Sequence, residues 1–98
     1  MPHLKLVWSP DALLGVQRAY RFLAEKDRDA ARAAAGAIRK QTAILQKYPQ
    51  AGRPADDLDP EHSELVVPFG ASGYVVVYAV HADHVLVLAV RHQKEAGY

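Results

Sequence analysis

Residues 74–91 constrain this chain more than any other stretch. Tyr74–His81 and His84–Arg91 are two runs dominated by Val and Leu, separated only by Ala82-Asp83. Two β-rich runs joined by a two-residue turn can pair in one way, as an antiparallel hairpin. Glu64–Val67, short and also β-prone, precedes them, with Pro68-Phe69-Gly70 and Ser72-Gly73 as punctuation. Three strands in series, linked by tight turns, imply an antiparallel sheet that needs a cover on one face.

The first half of the chain supplies that cover. Leu4, Leu6 and Trp8 alternate with His3, Lys5 and Val7, the period-two pattern of a short strand. Ser9-Pro10-Asp11 then reads as a helix start, with a capping hydroxyl, a proline suited to the first turn and an acid at the positive end of the helix dipole. The helix is expected to reach about Glu25, with Leu13, Val16, Tyr20 and Leu23 facing inward and Gly15 as a weak point. Lys26-Asp27-Arg28-Asp29 breaks it, with Asp27 or Asp29 as the next cap. A second helix is predicted from about Asp29 to Tyr48, burying Ala31, Ala34, Ile38, Leu45 and Tyr48. Its small alanines favour close packing as a helical hairpin. Pro49 and Gly52-Arg53-Pro54 end it in a turn, and residues 55–62 form an acidic loop. The expected fold is α+β, ordered β-α-α-β-β-β, with a helical hairpin on one face of a twisted antiparallel sheet. The first strand is placed beside the last ones, and the other sheet face is left open for function. At 98 residues the chain has room for a single domain spanning 1–98.

Charge is balanced in sum and polarised in sequence. The total is +1, yet residues 1–53 hold 10 basic and 4 acidic side chains, whereas residues 54–98 hold 2 and 7. The cations therefore belong to the helical half and the acids to the loop and sheet. Absence of cysteine excludes a disulfide framework, a thiolate zinc site and a Cys nucleophile. No apolar run approaches the ~20 residues of a membrane-spanning helix, and no signal-peptide pattern opens the chain. A cytoplasmic location without membrane association is expected.

Candidate chemistry concentrates at the end. Arg91 and Lys94 can hold phosphate, His92 and Glu95 can move protons, and Tyr98 can stack on a base or donate a hydrogen bond. Glu64 is a further candidate base. The same residues also suit the plain task of solvating the end of a buried strand, and spacing does not choose between the two. His81 and His84 flank the two-residue turn, but no third ligand stands at metal spacing; neither a metal nor another cofactor is expected.

The ordered sum of several short motifs resembles the RelE/ParE toxins of bacterial type II toxin–antitoxin modules. Trp8-Ser9-Pro10-Asp11-Ala12, Leu45-Gln46-Lys47-Tyr48-Pro49 and Gly52-Arg53-Pro54 carry the resemblance in the first half. Glu64-Leu65-Val66-Val67-Pro68-Phe69, Gly73–Tyr78 and Ala89–Glu95 complete it. It implies a growth-arresting toxin neutralised by a cognate antitoxin, ParD-like or RelB-like, with operator DNA bound only through that antitoxin. It implies two possible targets. ParE-like plasmid-stabilisation proteins inhibit DNA gyrase without catalysis; RelE-like members are metal-independent endoribonucleases that cut mRNA in the ribosome. For binding of target or antitoxin it points to Arg53, Arg91, His92, Lys94 and Glu95. For a nuclease it points to Glu64, Arg91, His92, Lys94 and Tyr98. Ser63 departs from the family, where an Arg often precedes the Glu-Leu pair, and raises the expectation of a weakened toxin kept for antitoxin binding and operon regulation. Residues 54–90 contain no Lys or Arg. A phosphate-cleaving face needs cations where charge develops, so the gyrase reading is preferred.

Overall fold

The computed structural model describes residues 3–55, 57 and 59–94; the candidates Glu95 and Tyr98 lie outside them. β1 (Lys5–Trp8) is followed by α1 (Pro10–Ala24) and α2 (Arg28–Ala43). A 3₁₀ turn at Ile44–Gln46 leads to the two-residue β2 (Arg53–Pro54). β3 (His62–Phe69), β4 (Ser72–Val80) and β5 (His84–His92) complete the chain. Among the described residues no helix is long and apolar enough to cross a membrane.

Both helix starts follow the sequence chemistry. Ser9 Oγ accepts from Ala12 N at 3.1 Å and donates to Leu88 O at 3.0 Å, so one hydroxyl caps α1 and ties it to β5. Asp27 Oδ1 accepts from Asp29 N and Ala30 N at the head of α2. The inward stripe of α1 keeps Val16 and Leu23 of the expected set but not Leu13. Ala12 and Gly15 are buried and Val16, Ala19 and Leu23 partly so, while Leu13 lies exposed. Close approach to the sheet requires small residues on that side. A Cβ on Gly15 would sit 2.3 Å from the Val90 carbonyl oxygen, so this glycine is a contact surface and not merely a helix defect.

The second helix ends five residues before the predicted Tyr48. Its last turn tightens to 3₁₀, which buries Leu45 and leaves Tyr48 exposed. The tightened turn docks on β1: Leu4 N donates to Gln46 O and Gln46 Nε2 donates to Leu4 O, each at 3.0 Å. This long-range pairing, absent from the helical period, decides the boundary.

The sheet order is β1-β5-β4-β3-β2. β3, β4 and β5 are antiparallel as expected; β2, expected as part of a turn, adds an antiparallel edge because Arg53 and Pro54 register on Glu64 and Ser63; and β1 runs parallel to β5, with Leu6 beside Val85 and Trp8 beside Val87. The sheet is therefore mixed. Hairpins dictate the directions of β3, β4 and β5, whereas alternation in β1 carries no direction. The core lies between the helices and one sheet face, where Ile38, Leu45, Val67, Val76, Val85 and Val87 are fully buried. Beyond Val87, the free edge of β5 is covered by α1, which removes an exposed pairing edge.

One irregularity matters for function. Val77 pairs with Ala89 but Tyr78 pairs with Val87, so Leu88 is an unpaired bulge residue. The bulge inverts the alternation of β5: Val85 and Val87 face the core before it, and Val90 faces the core after it. Ala89 and Arg91 are thereby turned to the open face, and His92 to the helix side.

Candidate functional site

On the open face, Gly52-Arg53-Pro54 forms the sheet edge. Tyr78 Oη reaches out from beneath, donating to Pro49 O at 3.1 Å and accepting from Gly52 N at 3.0 Å. Only glycine fits there, since a Cβ at position 52 would lie 2.3 Å from that hydroxyl. The pinned turn places Arg53 opposite Glu64, and Arg53 Nε donates to Glu64 Oε1 at 2.8 Å. The Glu64 side chain is 12% exposed and that of Arg53 66%. The candidate base thus already holds a cation.

Arg91, two strands away, shares this face and projects beside Val75. Strand spacing puts its Cα roughly 12 Å from that of Glu64. His92 lies on the opposite side, its ring edge-on to Tyr74 with centroids 5.4 Å apart and an interplanar angle of 89°. Its Nδ1 accepts from Lys94 N at 3.2 Å. Arg91 and His92, neighbours in sequence, therefore do not face one phosphate. Ser63 pairs with Tyr78 on the helix side, so an arginine there would not join Arg91 either.

The remaining cations on the open face also have counter-charges. Lys5, outward on β1, acts on Asp83, whose carboxyl is held below its usual value first by the hydrogen bond from His84. The rings of His81 and His84 stack 4.6 Å apart at the same hairpin tip. Asp57 in the acidic loop is likewise held low, chiefly by its hydrogen bond with His62 and then by Asp59 N–H, with Arg91 adding a favourable field. Among the described residues, no group of three His, Asp or Glu gathers as metal ligands would.

Two concave surfaces lie along α1. One groove of about 660 Å³ has Leu14, Arg18, Arg21 and Phe22 on its helical wall and Arg91 opposite. A second, of about 570 Å³, runs on the other side of the helix, between Gly15, Arg18 and Phe22 and the end of the sheet at Tyr74, His92 and Lys94. Leu14 is 58% exposed and Phe22 65%, so large apolar groups alternate with arginines along this ridge. Sequence reasoning missed Leu14, Arg18 and Phe22. Their signal was present: α1 carries more large apolar residues than its inward stripe can bury.

This α+β arrangement is shared by known toxin–antitoxin structures. The chain superposes on the chromosomal ParDE toxin–antitoxin system from P. aeruginosa with a TM-score of 0.75 and 19% identity, covering 92% of this chain and 96% of that one. It also superposes on the RelBE2 toxin–antitoxin complex from Mycobacterium tuberculosis, with a TM-score of 0.65, 14% identity and coverage of 94% and 99%. At these identities the likeness is one of fold. None of the curated proteins matches it in sequence. The family model of the ParE toxin of type II toxin–antitoxin systems (parDE) matches residues 6–97. The chain belongs to that family and is the toxin of a type II module.

Proposed function

We propose that this toxin arrests growth by binding DNA gyrase, without chemistry of its own, and that a ParD-like antitoxin neutralises it. One observation carries this reading: among the described residues, the groups a nuclease would need do not converge. Glu64 is bound by Arg53, and Arg91 and His92 lie on opposite sides of β5. General acid–base cleavage of RNA requires base, acid and cation around one phosphate, within hydrogen-bond reach. The family match to ParE supports the same choice.

The grooves flanking α1 are the proposed seat of the antitoxin. Arginines interleaved with Leu14 and Phe22 suit an amphipathic segment carrying acids and large apolar side chains, with Arg91 and Lys94 on the groove rims. Arg53, on the opposite sheet edge, is left for the target. Operator DNA is then reached only through the antitoxin, and the growth arrest serves plasmid or module maintenance in the cytoplasm.

The deciding experiment is a gyrase supercoiling assay with purified toxin, run beside primer extension on mRNA from induced cells. Inhibited supercoiling with intact transcripts is the expected result. Ribosome-dependent cuts that disappear in Arg91→Ala and His92→Ala variants, with gyrase untouched, would establish the endoribonuclease reading instead. A RelB-like antitoxin would fit that second outcome.

A further inference from the structure

The acidic loop between β2 and β3 is fastened by an arrangement that its function as a connector does not require. Asp57 Oδ1 accepts from Asp59 N at 3.0 Å, and Asp59 Oδ1 accepts from Glu61 N at 2.9 Å. Each aspartate so ordered turns its other oxygen to one ring. Asp57 Oδ2 lies 3.1 Å from His62 Nδ1, and Asp59 Oδ2 lies 3.2 Å from His62 Nε2. The spacing Asp-x-Asp-x-x-His thus converts two side-chain turns into a clamp on both nitrogens of one imidazole. A neutral imidazole carries one N–H and can satisfy only one carboxylate; the imidazolium carries two and satisfies both.

We infer that His62 is a proton-operated latch, which holds the acidic loop at the end of the open sheet face while the ring is charged and loosens it when the ring loses its proton. His62 opens β3 on the open face, in line with Glu64 and opposite Ala79. The charged groups around it are Asp57, Asp59 and Glu61 from the loop, the Arg53–Glu64 pair on the neighbouring strands, and Arg91, whose field reaches Asp57 from β5. The carboxylates approach from opposite ring nitrogens, so they clamp the ring and do not converge on a point where a metal would sit. Closing the latch holds the negative charges of Asp57 and Asp59 against the His62 end of the open face. Opening it frees that end of the face. The latch also opens at the acid end, when Asp57, whose carboxyl is held below its usual value by the hydrogen bond with His62, takes up a proton.

Amide hydrogen exchange at Asp59, Glu61 and His62, followed by NMR across pH with the His62 ring nitrogens titrated in the same samples, tests this directly. After correction for the intrinsic base-catalysed rate, protection at these amides should fall about two- to fivefold, the range for partly exposed ion pairs, in step with the His62 titration. His62→Gln should show the low protection at every pH. Asp59→Asn, which retains an oxygen for the Glu61 amide, should lose the pH dependence while the fold, read from β4 and β5 amides, is unchanged. Protection that ignores the His62 titration, or a His62→Gln variant as protected as the parent, would overturn the latch.

Discussion

The face of the sheet under the helices holds Val67, Val76, Val85 and Val87 fully buried, with the Tyr78 hydroxyl making long-range hydrogen bonds beneath the 49–52 turn. Among the described residues the opposite face has no helix over it. Val75 and Val77 are buried on that side, and charges beside them come as partners: Arg53 with Glu64 and Asp57 with His62. One surface is fixed by dry packing and the other by ion pairs open to water. Packing is costly to disturb and insensitive to pH; exposed ion pairs are inexpensive to break and respond to protons. The residues proposed above for partner binding lie outside the dry core, on the open face and along the outer ridge of α1.

The contrast can be tested by substitutions on either side. The largest loss is expected for Ile38→Ala, which empties a fully buried site in α2; chemical denaturation should show a drop of roughly 2–5 kcal/mol. Gly15→Ala should follow, at about 1–3 kcal/mol, because the added methyl meets the Val90 carbonyl. Helix propensity alone would make this change stabilising by about 1 kcal/mol, so the sign of the measured effect decides whether α1 truly rests on β5.

Tyr78→Phe should cost about 1–2 kcal/mol by leaving Pro49 O and Gly52 N without their partner. It should also change the alkaline limb of stability. Burial raises the Tyr78 pKa above its ordinary 10.0, against the lowering effect of the Gly52 and Ser63 hydrogen bonds. The folded state therefore holds this proton more tightly than the unfolded chain. Its contribution is complete below about pH 10 and fades as pH rises through the higher folded value. Denaturation midpoints measured upward from pH 9 should fall less steeply in the Phe variant. The smallest effect belongs to the open face: Arg53→Ala should cost less than about 1 kcal/mol, since Arg53 is two-thirds exposed. A double-mutant cycle with Glu64→Gln measures the pair. A coupling as large as the core losses would erase the distinction drawn between the two faces.

Much of the scaffold was legible. The Ser9-Pro10-Asp11 start and the β4–β5 hairpin rest on local chemistry and formed where their residues indicated, and of the two candidate caps for α2, Asp27 and Asp29, the structure uses Asp27. The open face was anticipated because two helices cannot cover both sides of the sheet. Less legible is the inner stripe of α1: hydrophobicity points to Leu13, whereas closeness of approach to β5 selects Gly15. Helical period alone carries the core stripe to Tyr48, but the capture of Gln46 by Leu4 ends it earlier. The role of His62 lies in Asp-x-Asp-x-x-His, which carries the signal of two side-chain turns closing on one ring.

The order of β1, the two helices and the three long strands followed from sequence because caps, turns and alternation act between residues close in the chain; the short β2 did not, since a two-residue strand has no pattern of its own. The direction of β1 and the facing of Arg91 did not. Alternation read from Val85 onward puts Arg91 on the buried side with Val87; the Leu88 bulge, held by Ser9 from 79 residues away, turns it to the open face and sends His92 to the other. That exchange depends on a hydrogen bond between distant parts of the chain, which only the folded structure brings together.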